Sequence, residues 1–387
     1  MSSSARPTEQ RQVVGRSKRL LLVISTLGTG GAERVLTLLA NAWSAMGHEV
    51  TLVTFDAPDA EPFFLLAPAV KRVGLNAMRA SAGVWEALRN NASRLRKLRQ
   101  AVRAAQPDVV VSFIDTTNVT TLLAVSGLSF PVVVSERTDP HHHAIGRAWT
   151  RLRRLTYPRA TAVVVQSHRA AAYFANTTVT PLVIPNPVKL PALPARTVAS
   201  DERHRLVTLG RLQPVKGQEK LLSAFARLAP HHPSWTLTIH GEGPERAQLE
   251  ATVSALGLQN RVFLPGATTE PFARLVEADL FVLSSAREGF PNALCEAMAV
   301  GLPVVSFDCP SGPAELITHN VDGLLVPPGD VEALAAALDR LMGDPAERAR
   351  LGTRAREVRE RLALPRILAM WDEVFREALE GRASRWS

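Results

Sequence analysis

The sequence alternates short apolar runs with helical segments, in two successive series. In the first series the runs lie at residues 20–24, 50–55, 108–113, 132–135, 162–166 and 182–185. In the second series they lie at residues 206–210, 235–240, 261–264, 280–284 and 303–307. Continuous apolar runs are typical of strands buried on both faces, and strands that alternate with helices form parallel, doubly wound sheets. The pattern therefore predicts an α/β chain with two Rossmann-like domains.

The boundary between the two series is rich in proline. Four prolines fall within residues 185–205, which show little periodicity, so we place an interdomain linker at 188–205. The 387 residues then divide into an N-terminal domain at 18–187 and a C-terminal domain at 206–363, after a disordered leader at 1–17. A final amphipathic helix at 364–387 either crosses back to the N-terminal domain or is a plain C-terminal core helix.

Composition indicates where the protein resides. Cys295 and Cys309 are the only cysteines, too few for a disulfide framework, which favours a reducing compartment. No apolar run reaches the roughly 18 residues of a membrane-spanning helix, and the first residues lack the apolar stretch of a signal peptide. We therefore expect a soluble, cytoplasmic chain.

The net charge of +9 is concentrated in the N-terminal half. Residues 1–187 carry 22 Lys and Arg against 11 Asp and Glu, whereas residues 188–387 carry 23 against 25. This imbalance predicts an anionic partner for the first half, either nucleic acid or an anionic membrane surface. Nucleic-acid binding is the remote alternative, because the aromatic residues that would stack on bases form only 5% of the chain.

Two glutamates eight positions apart mark a candidate ligand site in the second domain. Glu288 lies on a Gly/Pro loop after the predicted strand at 280–284, and Glu296 lies in the first turns of the following helix. Carboxylates so placed suit hydroxyl groups of a sugar and of a ribose. Alternatively, Glu296 lies on an exposed helix face and Glu288 caps the helix. Glycoside hydrolysis also uses paired acids, but it requires both to flank one glycosidic bond.

Two cations five positions apart follow the first strand of the same domain. Arg211 and Lys216 precede a predicted helix, whose N-terminus attracts anions through its dipole and its unpaired N–H groups. These cations suit a diphosphate, although two solvated surface cations would give the same pattern. The nearby glutamate pair favours the diphosphate, and so a nucleotide-sugar ligand.

Two glycine-rich turns are weaker signals. Gly30 and Gly31 connect the first strand to its helix, where backbone amides can approach an anion, but they match no dinucleotide-binding or Walker A motif. Gly241 and Gly243 allow close approach to a base, although a simple loop would also explain them. The chain has no Asp-x-Asp motif, so we expect catalysis without a metal or other cofactor.

Five segments together resemble glycosyltransferase family 4. They are Gly-Thr-Gly-Gly-Ala-Glu-Arg-Val at 28–35, Arg-Leu-x3-Lys-Gly at 211–217, Gly-x-Gly-Pro at 241–244, Glu-x7-Glu at 288–296 and Cys-Pro-Ser-Gly-Pro-Ala-Glu at 309–315. The resemblance covers nearly the whole chain from residue 18. It implies the GT-B fold, in which two Rossmann-like domains face each other across a cleft, and a retaining hexosyltransferase activity.

The resemblance also implies a role for each motif. The cations hold the donor diphosphate, the second glutamate contacts the ribose, and the first glutamate with the backbone after it contacts the sugar. The implied donor-binding residues are Gly30, Gly31, Arg211, Lys216, Gly241, Gly243, Glu288, Gly289, Phe290, Pro291 and Glu296. We expect Arg211, Lys216 and Glu288 to be catalytic: the two cations stabilise the departing diphosphate, and Glu288 contacts the donor sugar.

One segment departs from the family pattern. Many members carry a histidine after the strand that corresponds to 132–134, whereas this chain reads Ser-Glu-Arg-Thr-Asp at 135–139. That form resembles a bacterial subgroup that extends polyprenyl-diphosphate-linked oligosaccharides or exopolysaccharide repeats. Three roles are open for Glu136: sugar contact, acceptor contact or a structural ion pair with Arg137. Asn118, Glu136 and Arg137 are the acceptor-side candidates.

The acceptor is expected on the N-terminal domain, beside two basic segments. The first combines an apolar stripe (Leu88, Ala92, Leu95, Leu98 and Val102) with Arg89, Arg94, Arg96, Lys97, Arg99 and Arg103, and the second contains Arg147, Trp149, Arg151, Arg153 and Arg154. Basic amphipathic helices lie on anionic membrane surfaces, but a helix packed on a sheet with a solvated face gives the same pattern.

These observations predict a peripheral enzyme on the inner face of the plasma membrane. Its expected donor is a UDP-sugar carrying a hexose or N-acetylhexosamine, with GDP-mannose next, and its expected acceptor is a polyprenyl-diphosphate-linked saccharide. A soluble GT-B enzyme that acts on a small sugar or sugar phosphate is the alternative.

Overall fold

In a computed structural model, the chain forms two α/β domains, each built on one parallel sheet. The structure describes residues 17–78, 82–191 and 203–384. Nearly all of the predicted leader, most of the predicted linker and residues 385–387 therefore lie outside the described residues.

The first domain contains a seven-stranded sheet in the order β3-β2-β1-β4-β5-β6-β7. Its strands are β1 (Arg19–Ile24), β2 (Glu49–Thr54), β3 (Lys71–Gly74), β4 (Val109–Phe113), β5 (Val132–Ser135), β6 (Ala162–Val165) and β7 (Leu182–Val183). Its helices are α1 (Gly31–Ala45), α2 (Val84–Ala105), α3 (Asp115–Ala124), α4 (Arg147–Thr156) and α5 (His168–Ala172). Every strand pair is parallel.

The second domain contains a six-stranded parallel sheet in the order β10-β9-β8-β11-β12-β13. Its strands are β8 (His204–Leu209), β9 (Trp235–His240), β10 (Val262–Gly266), β11 (Leu280–Leu283), β12 (Val304–Phe307) and β13 (Leu324–Val326). Its helices are α6 (Gln218–Leu228), α7 (Arg246–Ala255), α8 (Pro271–Val276), α9 (Asn292–Val300), α10 (Pro313–Leu316), α11 (Val331–Gly343), α12 (Pro345–Ala355) and α13 (Val358–Arg361).

Both sheets have the doubly wound topology predicted from the apolar runs, so the predicted fold class is confirmed. The strand order reverses between β1 and β4 in one sheet and between β8 and β11 in the other. Ligands bind outside the carboxyl ends of the strands at such points. Two short edge strands were not predicted: β3, which is half-buried and begins with Lys71-Arg72, and β13, which has only three residues.

Helices cover both faces of the N-terminal sheet. On one face, α1 buries residues at helical spacing, among them Val35, Leu39 and Trp43. On the other face, α2, α3, α4 and α5 contribute to a second apolar cluster, with Leu98 and Val102 of α2 fully buried.

A long C-terminal helix, α14 (Leu364–Ser384), returns to the N-terminal domain. Trp371 and Phe375 are buried in the same cluster as α1, with ring centroids 5.8 Å and 5.3 Å from that of Trp43. The chain therefore passes between the domains twice. The two passages are adjacent, because the Val188 N–H donates to the Leu362 carbonyl at 2.8 Å. Within the described residues, no helix combines the length and apolarity that crossing a membrane requires.

Replacement of Trp371 with alanine is expected to destabilise the N-terminal domain by about 3–5 kcal/mol, because the indole is 1% exposed and the cavity would lie between α14 and the sheet. For a domain of this size, the midpoint of thermal unfolding should fall by about 10 °C. Arg376→Ala, on the exposed face of the same helix, is the matched control and should leave the midpoint nearly unchanged. Equal midpoints for Trp371→Ala and the control would contradict this packing.

Candidate active site

The loop after β11 and the turn after β8 bring two of the predicted residues into contact. Lys216 ends a short 3-10 turn at Pro214–Lys216, and its Nζ donates to both carboxylate oxygens of Glu288, at 2.7 and 2.9 Å. Ser285 Oγ donates to the same carboxylate at 2.6 Å. The Glu288 side chain is 7% exposed, so these partners compensate a charge that is almost removed from water.

The loop at 309–312 lies directly against this pair. The Glu288 N–H donates to the Pro310 carbonyl at 3.4 Å. The Cys309 thiol is buried, and burial together with the Glu288 carboxylate raises its pKa to about 12. Cys309 is therefore a protonated, inert thiol and not a candidate nucleophile.

Arg211 differs from Lys216 in its surroundings. Its side chain is exposed, and within the part of the chain that the structure describes its guanidinium makes no hydrogen bond or ion pair. Its backbone is fixed, since its carbonyl accepts from Gln218 Nε2 at 3.1 Å and the following residue, Leu212, is fully buried. Arg211 is thus a cation on a fixed loop at the carboxyl end of β8, with its charge available to an anion.

The glycines after β9 have a packing role. A Cβ at Gly241 would overlap the Gly210 carbonyl, and one at Gly243 would overlap the Leu212 carbonyl. Both glycines therefore let the loop after β9 lie against the loop that carries Arg211. The predicted close approach to a base stays a prediction.

Two further glycines allow the domains to approach each other. A Cβ at Gly289 would lie 2.8 Å from the Arg137 carbonyl of the N-terminal domain. A Cβ at Gly31 would lie 2.8 Å from Asn292 Nδ2 of the C-terminal domain. Gly30 is different, because only the flexible side chain of Glu33 lies near its Cβ position. A larger residue at position 289 would meet backbone and push the two domains apart, whereas one at position 31 would displace the Asn292 side chain.

Phe290 and Pro291 continue the loop into α9. Phe290 is partly buried against the core of the second domain, and Pro291 is buried and contacts Gly312. The Asn292 side chain, at the first position of α9, accepts from Asn186 Nδ2 at 2.7 Å. This hydrogen bond fixes the start of α9 relative to the segment that follows β7.

Glu296 lies on α9 and is almost fully buried, which excludes the exposed helix face that the sequence left open. Its carboxylate forms an ion pair with Arg34 of α1, with Nη1 and Oε1 2.6 Å apart. Burial raises the pKa of Glu296, and the Arg34 guanidinium opposes this increase. The two residues line an interdomain cavity of about 210 Å³ together with Asn292 and Phe272.

Two of the acceptor-side candidates, Asn118 and Glu136, belong to a buried hydrogen-bond network at the end of β5. The Glu136 carboxylate accepts from the Tyr157 hydroxyl at 2.6 Å and from Arg153 Nη1 at 3.3 Å. Burial raises the pKa of Glu136 to about 7, although Arg153 and Tyr157 oppose the increase. Asn118 Nδ2 donates to the Ser135 carbonyl at 3.0 Å and to Tyr157 at 3.1 Å. Asn118 and Glu136 are both buried in this conformation.

One of the three roles left open for Glu136, an ion pair with Arg137, is not the arrangement in the structure. Successive side chains at a strand end point to opposite faces, so Glu136 meets Arg153 of α4 while Arg137 turns away. The Arg137 guanidinium lies 4.2 Å from the centroid of the Phe113 ring and donates to Ser135 Oγ at 3.2 Å and Asn186 Oδ1 at 2.5 Å. Burial lowers its pKa to about 9.

Sequence reasoning missed several contacts between the domains. Arg287 Nη1 donates to the His142 carbonyl at 3.0 Å, and Ser311 Oγ donates to the Asp139 carboxylate. Glu315 accepts from the backbone N–H groups of His168 and Arg169 at the start of α5, at 2.9 and 3.2 Å. Ser311 and Glu315 belong to the Cys-Pro-Ser-Gly-Pro-Ala-Glu motif, which signalled their importance but not their partners. Among the described residues, no cluster of three or more His, Cys, Asp or Glu side chains suits a metal ion.

Comparisons with known families agree with this geometry. Residues 30–187 match the glycosyl transferase 4-like domain, and residues 191–358 match the glycosyl transferases group 1 family. The boundary between the matches coincides with the first passage of the chain between the domains.

Curated relatives are glycosyltransferases and related enzymes. An N-acetyl-D-galactosaminyltransferase of Campylobacter jejuni, named for its diNAcBac-PP-undecaprenol-linked acceptor, is 29% identical over 93% of this chain and 98% of its own length. An exopolysaccharide phosphotransferase of Streptomyces coelicolor is 43% identical over 44% of this chain, a match that spans only 18% of that protein.

Among solved structures, HepE of Anabaena in complex with UDP and glucose has a TM-score of 0.75 and 22% identity, and the match covers 92% of this chain and 98% of HepE. At this identity the likeness concerns the fold. Two family matches, the paired parallel sheets and the curated relatives agree: this chain is a family 4 glycosyltransferase with the GT-B fold.

Proposed function

We propose that this enzyme is a retaining hexosyltransferase that moves a hexose or N-acetylhexosamine from a nucleotide-sugar to a polyprenyl-diphosphate-linked saccharide. The observation that carries the donor side is the Lys216–Glu288 pair at the carboxyl edge of the C-terminal sheet, next to the free guanidinium of Arg211. Cations at this edge can neutralise a diphosphate, and the carboxylate can accept hydrogen bonds from the hydroxyl groups of a sugar.

The charges suit the chemistry of the transfer step. The bond between the anomeric carbon and the diphosphate oxygen breaks, and the nucleoside diphosphate leaves with the electron pair. The acceptor hydroxyl oxygen forms the new bond to the anomeric carbon on the same face, and its proton passes to an oxygen of the leaving phosphate. Arg211 and Lys216 stabilise the charge on the leaving group, so we propose that no divalent cation is required.

Retention is the outcome that the family resemblance implies, and among the described residues at the site no side chain suits a covalent intermediate. The Cys309 thiol lies near the pair but is protonated, and the Glu288 carboxylate is engaged by Lys216 and Ser285. A front-face transfer needs neither group to form a covalent intermediate.

The donor and acceptor classes rest on the relatives. The Campylobacter jejuni enzyme is named for a transfer of N-acetylgalactosamine to an undecaprenyl-diphosphate-linked saccharide, and HepE was solved with UDP. The UDP of HepE supports a UDP-sugar as the donor here, with GDP-mannose as the next candidate. The name of the Campylobacter jejuni enzyme supports an N-acetylhexosamine and a lipid-linked acceptor in glycan or exopolysaccharide assembly.

Part of the basic surface of the N-terminal domain supports membrane association. Exposed apolar and basic side chains occur together at the start of α2 and along α4, both of which pack against α3. They are Trp85, Leu88 and Arg89 on α2, and Arg147, Arg151, Arg154 and Leu155 on α4. Trp85 is 86% exposed, which is unusual for a tryptophan and is typical of a side chain that enters an interface.

Several other residues of the predicted basic segments have structural partners. Leu98 and Val102 of the apolar stripe are core residues. Lys97 Nζ donates to the Leu75 and Asn76 carbonyls at 2.9 Å, and Arg153 is buried with Glu136. We propose that the seven exposed residues named above, and not the whole stripe, contact an anionic leaflet on the cytoplasmic side.

Replacement of Lys216 or Glu288 with alanine should lower the rate of sugar transfer by about 10²–10³, because each removes a positioned charge at the reacting centre. Purified protein would be incubated with UDP- and GDP-sugars and a polyprenyl-diphosphate-linked acceptor, and product would be quantified by mass spectrometry. Each variant leaves one buried charge unpaired, so thermal unfolding must show that it is folded at the assay temperature.

Arg227→Ala removes an exposed cation from the same domain and is the control, since its partner Glu332 is also exposed. Folded Lys216 and Glu288 variants with the control's rate would refute the proposed donor site. The anomeric configuration of the product, read by NMR, separates retention from inversion.

The protein should co-sediment with anionic vesicles at low salt and be released from them at high salt. A triple variant that combines Trp85→Ala, Arg151→Ala and Arg154→Ala should bind these vesicles at least tenfold more weakly. Each basic residue contributes about 1 kcal/mol near an anionic leaflet, and salt screens that attraction. Phe263→Ala with Arg227→Ala removes an exposed aromatic ring and a cation from the C-terminal domain and should bind as the unaltered protein does.

Equal binding to neutral and anionic vesicles, or binding to neither, would contradict the membrane surface. Binding to neither would favour the soluble enzyme with a small acceptor.

A further inference from the structure

The carboxylate assigned to the ribose takes its charged partner from the opposite domain. Arg34 Nη1 lies 2.6 Å from Glu296 Oε1, and within the described residues no other side chain forms a hydrogen bond or ion pair with this carboxylate. The two residues are brought together only because the N-terminus of α1 faces α9 across the cleft. A contact of this length is a charge-assisted hydrogen bond.

The position of Arg34 is fixed by its own helix. Its backbone N–H donates to the Gly30 carbonyl at 3.1 Å, in the first turn of α1. The guanidinium carbon lies 5.8 Å from the centroid of the Phe272 ring, on α8. The Arg34 side chain is 30% exposed and the Glu296 side chain is 8% exposed, so the arginine reaches from the cavity toward a carboxylate at its wall.

The ion pair leaves part of the carboxylate available. Arg34 contacts Oε1, and a carboxylate has room for several donors on its two oxygens. A ribose hydroxyl can therefore donate to Glu296 while the Arg34 contact persists.

The charge balance around Glu296 depends on this one residue. Burial raises the pKa of the carboxyl, and Arg34 is the charged group that opposes it. Lys189 is the other charged residue that lines the cavity. On α9 itself the neighbouring Cys295 is buried, with a thiol pKa well above its usual range, and Arg361 of α13 acts on that thiol. Without Arg34, the buried carboxyl would take up a proton at a higher pH.

We propose that Arg34 is a positioning residue for donor binding, which holds the Glu296 carboxylate across the cleft in the orientation that accepts a ribose hydroxyl. The proposal rests on the proposed function in one respect, a nucleotide-sugar donor, whose ribose the family resemblance assigns to Glu296. It adds that the N-terminal domain contributes to nucleotide affinity through this contact, so that the nucleotide is bound tightly only when the domains face each other as they do here.

The test is the dissociation constant of a nucleoside diphosphate, measured by isothermal titration calorimetry with UDP and, in parallel, GDP. Arg34→Ala should weaken binding of the preferred nucleotide about tenfold at pH 7, as expected for loss of a hydrogen bond to a charged group. The ratio of the variant's constant to that of the unaltered protein should grow as the pH is lowered from 8 to 6, because Glu296 becomes protonated. Because both proteins bind the same nucleotide, the effect of protonating the nucleotide's own phosphate cancels in this ratio.

Two variants separate positioning from a merely structural role. Arg34→Lys keeps the cation and should restore most of the affinity and the flat pH dependence of the ratio. Glu296→Gln cannot titrate, so adding Arg34→Ala to it should change neither the affinity nor its pH dependence. Arg227→Ala, an exposed cation of the second domain, should bind as the unaltered protein does.

An unchanged dissociation constant in Arg34→Ala, or weakening that is the same at every pH and not restored by lysine, would overturn the positioning role. Failure of both nucleotides to bind the unaltered protein would instead overturn the proposed function, and the ribose contact with it.

Discussion

The geometry of the cleft depends on the direct approach of two backbones. Gly289 of the second domain packs against the Arg137 carbonyl of the first, at a distance that leaves no space for a side chain. The same loop carries Glu288 on one side and leads into α9 with Glu296 on the other. Because the backbone contact fixes this loop between the domains, it also fixes both carboxylates relative to the first domain. The spacing of Glu-x7-Glu thus corresponds to one loop followed by the first turn of α9, both held at the domain boundary.

Charges that are almost removed from water are concentrated at this boundary. Removing one partner of a buried ion pair costs about 3–5 kcal/mol, whereas replacing both partners by apolar residues is often neutral. Pairs such as Lys216–Glu288 therefore contribute little to stability, which favours the binding role proposed above for this pair. Arg137 reinforces this reasoning: among the described residues, no carboxylate pairs with its buried guanidinium, which relies on Ser135, Asn186 and the Phe113 ring.

The sequence predicted the central strands, the doubly wound topology and the position of the candidate site, because each depends on local pattern. Apolar runs identify buried strands, and loops at their carboxyl ends identify the cleft. The edge strands β3 and β13 were not predicted, because an edge strand needs no apolar run. The partners of the motif residues were not predicted either. Nothing in the spacing of residues 28–35 and 288–296 shows that Arg34 contacts Glu296, because that contact depends on how the two domains face each other.

The ion pair with Arg137, one of the three roles left open for Glu136, does not form for a related reason. Adjacent residues after a strand point in opposite directions, so Glu136 finds its partner on α4, a residue that the sequence had assigned to a membrane-facing segment. The excess of positive charge in the first half of the chain is consequently divided among different roles. Arg153 compensates a buried carboxylate, Arg34 faces the cleft, and Lys97 holds loop carbonyls. Only the remaining exposed cations can act on an anionic surface, so the electrostatic footprint of the domain is smaller and more localised than its net charge suggests.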